Sequence, residues 1–311
     1  MSSSYFIASE EITHLQVATL SGNIEAINAV LSRWRESSID NETFEVTTGP
    51  VLYEAIVNNS FEVVSCLLDN QVPMNSQLFM KATEDTSYQI LQEFLNHGWD
   101  INTPISSNDP PALANSFHDA NLTKWFLAHG ADPNRRCERY KDYTPLSIAF
   151  RQANFTIIQI LLNHGASLLQ GQVMHYAAMR ELDDRLEVLN YLLEQGLPLN
   201  DIMYQSCEEE YLCNMYSGIG TPLHYAAGRG LPDSVKLLIA RGASPHIKDP
   251  ASYTAADWAE INGQTAVSEF LRPMSTDNDL ASIPQFTDGH GRHFTLVPMD
   301  QFIMESGFRL V

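Results

Sequence analysis

A small residue set among apolar neighbours recurs along the chain at Ala18, Ala55, Ala82, Ala114, Ala149, Ala177, Ala226 and Ala259. The intervals are 37, 27, 32, 35, 28, 49 and 33 residues. In six of the eight segments an apolar pair ends thirteen residues after the alanine: Val30-Leu31, Leu67-Leu68, Phe94-Leu95, Phe126-Leu127, Leu161-Leu162 and Leu238-Ile239. Apolar side chains at helical spacing, interrupted by polar turns, predict a helix-turn-helix unit in each segment. The alanine lets the first helix pack closely, and the pair belongs to the second. In the sixth segment the pair slips to Leu192-Leu193, which predicts a three-residue insertion around Asp183-Asp184-Arg185.

Punctuation supports these boundaries. Gly98, Gly130, Gly165, Gly196 and Gly242 stand where a second helix should end, and a left-handed C-cap favours a residue without Cβ. His97, His129 and His164 precede three of them, suited to the negative end of the helix dipole.

The segment Gly220-Thr221-Pro222-Leu223-His224-Tyr225-Ala226-Ala227-Gly228-Arg229-Gly230, continuing through Leu237-Leu238-Ile239-Ala240-Arg241-Gly242-Ala243-Ser244-Pro245-His246, resembles one ankyrin repeat almost position for position. One such unit cannot bury its apolar face alone, so further units are expected at a period of about 33. The fifth and seventh units match that family strongly, the first, second, sixth and eighth moderately, and the third and fourth are degenerate. The resemblance runs from Thr13 to Leu271. It implies an all-α ankyrin-repeat solenoid of about eight helix-turn-helix units over 1–272, with a long loop insertion at 201–217 and a non-repeat C-terminal tail, 273–311, packed as a cap. Terminal repeats need such covering. The family's usual role implies a protein-binding module rather than an enzyme.

Charge narrows the partners. The chain of 311 residues carries a formal charge of −20, which opposes direct contact with nucleic acid or an anionic membrane surface. No stretch approaches a membrane-spanning length of apolar residues, and Met1–Glu11 lacks the basic and apolar regions of a secretory signal. Cys66, Cys137, Cys207 and Cys213 show neither metal nor disulfide spacing. The sequons at Asn41, Asn58, Asn121 and Asn154 are expected to be unused. An intracellular, cytoplasmic protein is expected, with the nucleus as the alternative.

Positive charge is concentrated despite the acidic total. The finger before the fifth unit holds Arg135, Arg136 and Arg139 beside Tyr140, Lys141 and Tyr143. In ankyrin-family proteins recognition commonly uses finger tips and the positions two and three places after the core alanine, on the concave face. Carried over here, these are Arg151 and Gln152, Met179 and Arg180, and Gly228 and Arg229. The expected partner-binding set is therefore Tyr140, Lys141, Tyr143, Arg151, Gln152, Met179, Arg180 and Arg229, on the concave face of units four to seven. Arginines interleaved with aromatics suit a carboxylate or phosphate, hence an acidic or phosphorylated protein segment. Alternatively the arginines are solvated or pair with Glu208-Glu209-Glu210 of the insertion.

Catalytic patterns are weak. His175 and His224 occupy the family's Thr-Pro-Leu-His slot, where the histidine is a structural hydrogen-bonding residue, and Asp257 takes that slot in the eighth unit. Asp288-Gly289-His290-Gly291-Arg292-His293 fits no familiar zinc spacing and is read as a surface turn. No cofactor and no metal are implied. The rival reading is an enzyme or small-molecule site in the concave groove, with the 201–217 loop as a lid and His175 or Tyr176 as the acid–base group. The mixture of acids, tyrosines and methionines in that loop predicts that it packs, on the solenoid or on a ligand. Trp99 follows Gly98 where a small residue is usual, either filling a gap or exposing a contact surface.

Overall fold

The computed structural model describes residues 9–37, 39–137 and 143–275, and their regular structure is helical. The chain divides into two compact units, Met1–Ser106 with Pro110–Asp132, and Ser107–Asp109 with Pro133–Val311. The predicted cap and the Asp288–His293 turn lie outside the described residues. Together the two units contain eight repeats, each with its anchoring alanine no more than 5% exposed. The architecture is an all-α repeat solenoid.

In the first unit α1 (Ser9–Leu20) pairs with α2 (Ile24–Glu36), and α3 (Asn41–Val57) with α4 (Phe61–Asp69). Next come α5 (Ser76–Glu84) with α6 (Tyr88–Asn96), and a 3-10 helix, Ala112–Ser116, with α7 (Ala120–Ala128). The degenerate fourth repeat is this last pair. Pro110 and Pro111 precede its first helix and remove two backbone donors there, and only a short, tight helix follows. The core beside it is aromatic. Phe79 meets Phe94, Trp99 and Phe126 with ring centroids 5.5 to 5.9 Å apart. Trp99 thus fills the gap left by the absent regular helix, and its half-buried ring belongs to the packing of this unit.

In the second unit α8 (Pro145–Gln152) pairs with α9 (Phe155–Asn163), and α10 (Val173–Ala178) with α11 (Arg185–Glu194). The insertion forms α12 (Glu208–Asn214), after which α13 (Pro222–Gly228) pairs with α14 (Pro232–Ala240) and α15 (Ala255–Ile261) with α16 (Thr265–Leu271). Three of the four first helices here start on polar boxes. Thr144 with Ser147, and Thr254 with Asp257, bond reciprocally across the first turn, which satisfies donors that a helix start leaves unpaired. His224 plays the same part for Thr221. Its Nε2 donates to the Tyr253 carbonyl at 3.1 Å, so Nδ1 is the acceptor for the Thr221 N–H at 3.2 Å and hydroxyl at 2.8 Å. One ring thereby ties two successive repeats together.

Second helices end as the punctuation predicts. The five closing glycines take φ between 72° and 99°, where a Cβ would be strained. His97, His129 and His164 each place Nδ1 within 2.9 Å of the carbonyl four residues earlier, at the helix end. A further tie recurs four residues after a closing glycine. Asn102 donates to the Gly130 carbonyl and accepts from the Asp132 N–H in the first unit. Asn134 does the same with Gly165 and Ser167, and Asn200 with Gly242 and Ser244, in the second. These asparagines were not singled out from the sequence, although their fixed distance from the glycine was a visible signal.

Candidate interaction site

The residues expected at a partner surface gather where the first helices of the fifth, sixth and seventh repeats end, all within the second unit. Arg151 and Gln152 are the last residues of α8, Met179 and Arg180 follow α10, and Arg229 follows α13. Because α10 packs between α8 and α13, these ends are neighbours. Tyr143 stands just before the Thr144 cap of α8 and reaches the same place, its ring 5.3 Å from that of Tyr176. Tyr140 and Lys141 lie outside the described residues.

Arg180 does not join a groove. Its side chain is fully buried. Nε and Nη2 each meet one carboxylate oxygen of Asp184 at 2.6 Å, and Nη2 also donates to the Ala153 carbonyl at 2.6 Å. Nη1 donates to the carbonyls of Phe150 and Ala149 at 3.2 and 3.4 Å. Arg180 therefore closes the end of the preceding repeat's first helix, where unpaired carbonyls concentrate negative charge. The expectation of an open cation at this position is corrected. The physical reason is Asp184, supplied by the insertion in the sixth repeat, which neutralises the guanidinium and permits its burial. Met179 is buried as well, whereas Gln152 is exposed.

Arg151 and Arg229 remain, both only partly exposed. Arg229 Nη1 meets Glu181 Oε1 at 2.5 Å, and its Nε is buried with no hydrogen-bond partner. The carboxylate at this guanidinium is thus Glu181 rather than one from Glu208-Glu209-Glu210, and the sequence reading missed it. Arg151 makes no hydrogen bond or ion pair with the described residues. Burial, and then the like charge of Arg229, hold its guanidinium below the usual value, opposed by Tyr143, Tyr176 and Glu181. Two cations, one carboxylate and two phenols therefore share one spot.

The phenols are donors there, not bases. Burial pushes Tyr143 up to about 12, and burial followed by Tyr204 drives Tyr176 well above the ordinary phenol value. His175 is held down to about 4 by burial, and its Nε2 donates to the Asp201 carbonyl at 2.9 Å. Neither His175 nor Tyr176 is poised for proton transfer near neutral pH. The insertion folds back onto the repeats. Ile202, Met203 and Tyr204 are buried, and the Met203 N–H donates to the Gly220 carbonyl at 3.0 Å. A small cavity of about 160 Å³ lies between the Leu168–His175 stretch and the Leu197–Ser206 stretch, beside His175. Among the described residues no group of three His, Cys, Asp or Glu side chains is placed to hold a metal, and no helix is long and apolar enough to cross a membrane.

Known proteins place these helix pairs. The family model described as "Ankyrin repeats (3 copies)" matches residues 111–203, and that described as "Ankyrin repeat" matches 220–250. Residues 111–203 and 220–250 are ankyrin repeats. The chain is 26% identical over 146 residues to "Ankyrin repeat protein nuc-2" of Neurospora crassa, covering 46% of this chain and 12% of that protein. It is 35% identical over 65 residues to "Espin-like protein" of Homo sapiens, covering 21% of this chain and 6% of that one. Over 55 residues it is 46% identical to "E3 ubiquitin-protein ligase hecd-1" of Caenorhabditis elegans, covering 16% and 2%. The chain spans only a small part of the length of these relatives. Ankyrin repeats generally serve as protein–protein interaction modules, and this chain carries that scaffold.

Proposed function

We propose that the protein is a non-enzymatic interaction module that holds an acidic or phosphorylated segment of a partner protein on the concave face of repeats five to seven, through Arg151 and Arg229. The observation that carries this reading is Arg151, a partly buried guanidinium without an ion pair to the described residues, set beside a second arginine in a chain of strongly negative net charge. Local potential rather than net charge governs docking. Tyr143 and Gln152 flank the cations and supply further donors. The matched relatives bear unrelated names, which fits a scaffold that presents surfaces rather than one chemistry. The same reading takes the protein as intracellular, supported by four cysteines that lack disulfide spacing in the sequence.

The test is an array of neutral, basic, acidic and phosphorylated peptides probed with the full chain and with Arg151→Glu. Retention of acidic or phosphorylated peptides, lost in the variant, is the expected result. Retention that follows neither charge class, or that survives Arg151→Glu, overturns the reading.

A further inference from the structure

The Arg151–Arg229 site is asymmetric. Arg229 already has a carboxylate, Glu181, at 2.5 Å, while Arg151 has none among the described residues. The Glu181 side chain is 60% exposed, so it reaches the site from solvent and leaves without disturbing any packed element. Arg229 is the less exposed partner, at 17%, and its Nε still lacks an acceptor. The pair as it stands thus neutralises one cation of two, and uses only part of the donor fork of Arg229.

A carboxylate ligand entering at Arg229 would replace Glu181 charge for charge and leave Arg151 as it was. A phosphate monoester, with nearly two negative charges and three acceptor oxygens near neutral pH, can accept from both forks at once. The protonated phenol of Tyr143 stands beside Arg151 to donate to a remaining oxygen, whereas the buried Tyr176 hydroxyl is already bonded to Tyr204.

Resting on the interaction-module reading above, we propose that the site is selective for a phosphorylated side chain over a carboxylate, and that Glu181 is its built-in competitor, occupying Arg229 until the phosphate bridges Arg151 and Arg229. Glu181 therefore sets a threshold. It excludes monoanionic segments, which gain nothing by displacing it, and yields to a dianion.

The experiment uses the full chain and one short capped peptide with Ser, Glu or phosphoserine at its centre, together with inorganic phosphate, measured by titration calorimetry. The phosphopeptide is expected to bind at least tenfold more tightly than the Glu peptide. Glu181→Gln should tighten phosphopeptide binding at least fivefold and narrow the gap to the Glu peptide. Arg151→Gln should weaken the phosphopeptide at least tenfold. Lowering the pH from 7.5 to 5.5 should weaken the phosphopeptide as the phosphate takes up its second proton near pH 6. Equal affinity for the phosphopeptide and the Glu peptide overturns the proposal, as does a Glu181→Gln variant that binds phosphopeptide no better. Inorganic phosphate binding as tightly as the phosphopeptide overturns the protein-borne source. Because Glu181 is exposed, its variant leaves the fold intact, and a melting curve matching the parent checks this. Failure here with acidic peptides still retained on the array leaves the interaction module standing.

Discussion

The two compact units fill the same helix-pair template in opposite ways. In the first, the space between repeats is taken by rings, with Phe79 against Phe94, Trp99 and Phe126, and Phe94 against Trp99. The ends of its early first helices carry exposed Leu20 and Val57. In the second, buried polar groups do comparable work: Arg180 closes one repeat onto the next, His224 links Thr221 to Tyr253, and His175 reaches Asp201. Its first helices end in Arg151 and Arg229. An aromatic filling is indifferent to protonation, whereas a buried polar filling must keep every partner and one charge state. The second unit thus carries the buried histidines whose protonation opposes folding, and it presents Arg151 and Arg229 at the ends of its first helices.

The largest effect should come from placing a carboxylate at an anchoring alanine. Ala226→Asp in the second unit and Ala82→Asp in the first each bury an unpaired charge, at a cost of several kcal/mol, roughly 3–5. Coupling in a solenoid runs chiefly between neighbours, so hydrogen exchange should accelerate in the unit that carries the substitution and stay slow in the other. Uniform acceleration in both would erase the distinction between the units.

Arg180 follows closely. An Arg180→Met substitution strands Asp184 and the carbonyls of Ala149, Phe150 and Ala153, and should destabilise the second unit by about 3 kcal/mol in urea melts. A change within about 0.5 kcal/mol, as at an exposed position, would contradict its burial.

Acidification sharpens the same contrast. His175 and His224 are both held down to about 4 by burial, against an ordinary value of 6.5. Between those values the unfolded chain takes up protons that the folded chain refuses, so stability falls as pH drops from 6.5 toward 4. The slope is about 1.4 kcal/mol per pH unit for each histidine. In the first unit His97 has the opposite sign. Partial burial lowers its value, but the Glu93 carbonyl and the Asp69 carboxylate together raise it above 6.5. Its contribution is present at pH 6 and fades as pH rises through the raised value. Exchange measured at pH 7 and pH 5 should therefore show loss of protection confined to the second unit, and His224→Gln should flatten the slope.

The smallest effect concerns the asparagine ties. Asn134→Ala and Asn102→Ala each delete two hydrogen bonds between successive repeats, worth about 1–2 kcal/mol in total because both sites are exposed. Equal losses in the two units, read from melting midpoints, would show that this tie is common to both fillings. A loss in only one would add it to their differences.

Much of this molecule was legible along the chain, for a definite reason. A repeat whose faces must pack on its neighbours imposes a small residue, an apolar pair and a closing glycine at set places. Ala18 through Ala259 and Gly98 through Gly242 therefore marked the helix pairs directly. The histidine in the Thr-Pro-Leu-His slot was legible too, because its partner Thr221 is three residues away. The candidate site was only half legible. Arg180 and Arg229 stand three places after their core alanines and Arg151 two, and the acid four residues on, Asp184 or Asp233, does not by itself set Arg180 apart from Arg229. Tertiary structure decided that Arg180 turns inward, because the carbonyls it satisfies belong to another repeat and Asp184 stands within reach. It also decided that Glu181 meets Arg229 across 48 residues, which leaves Arg151 bare. Periodicity specifies which residues share a face. Which charges on that face find a partner depends on distances between repeats, and those arise only when the helices stack.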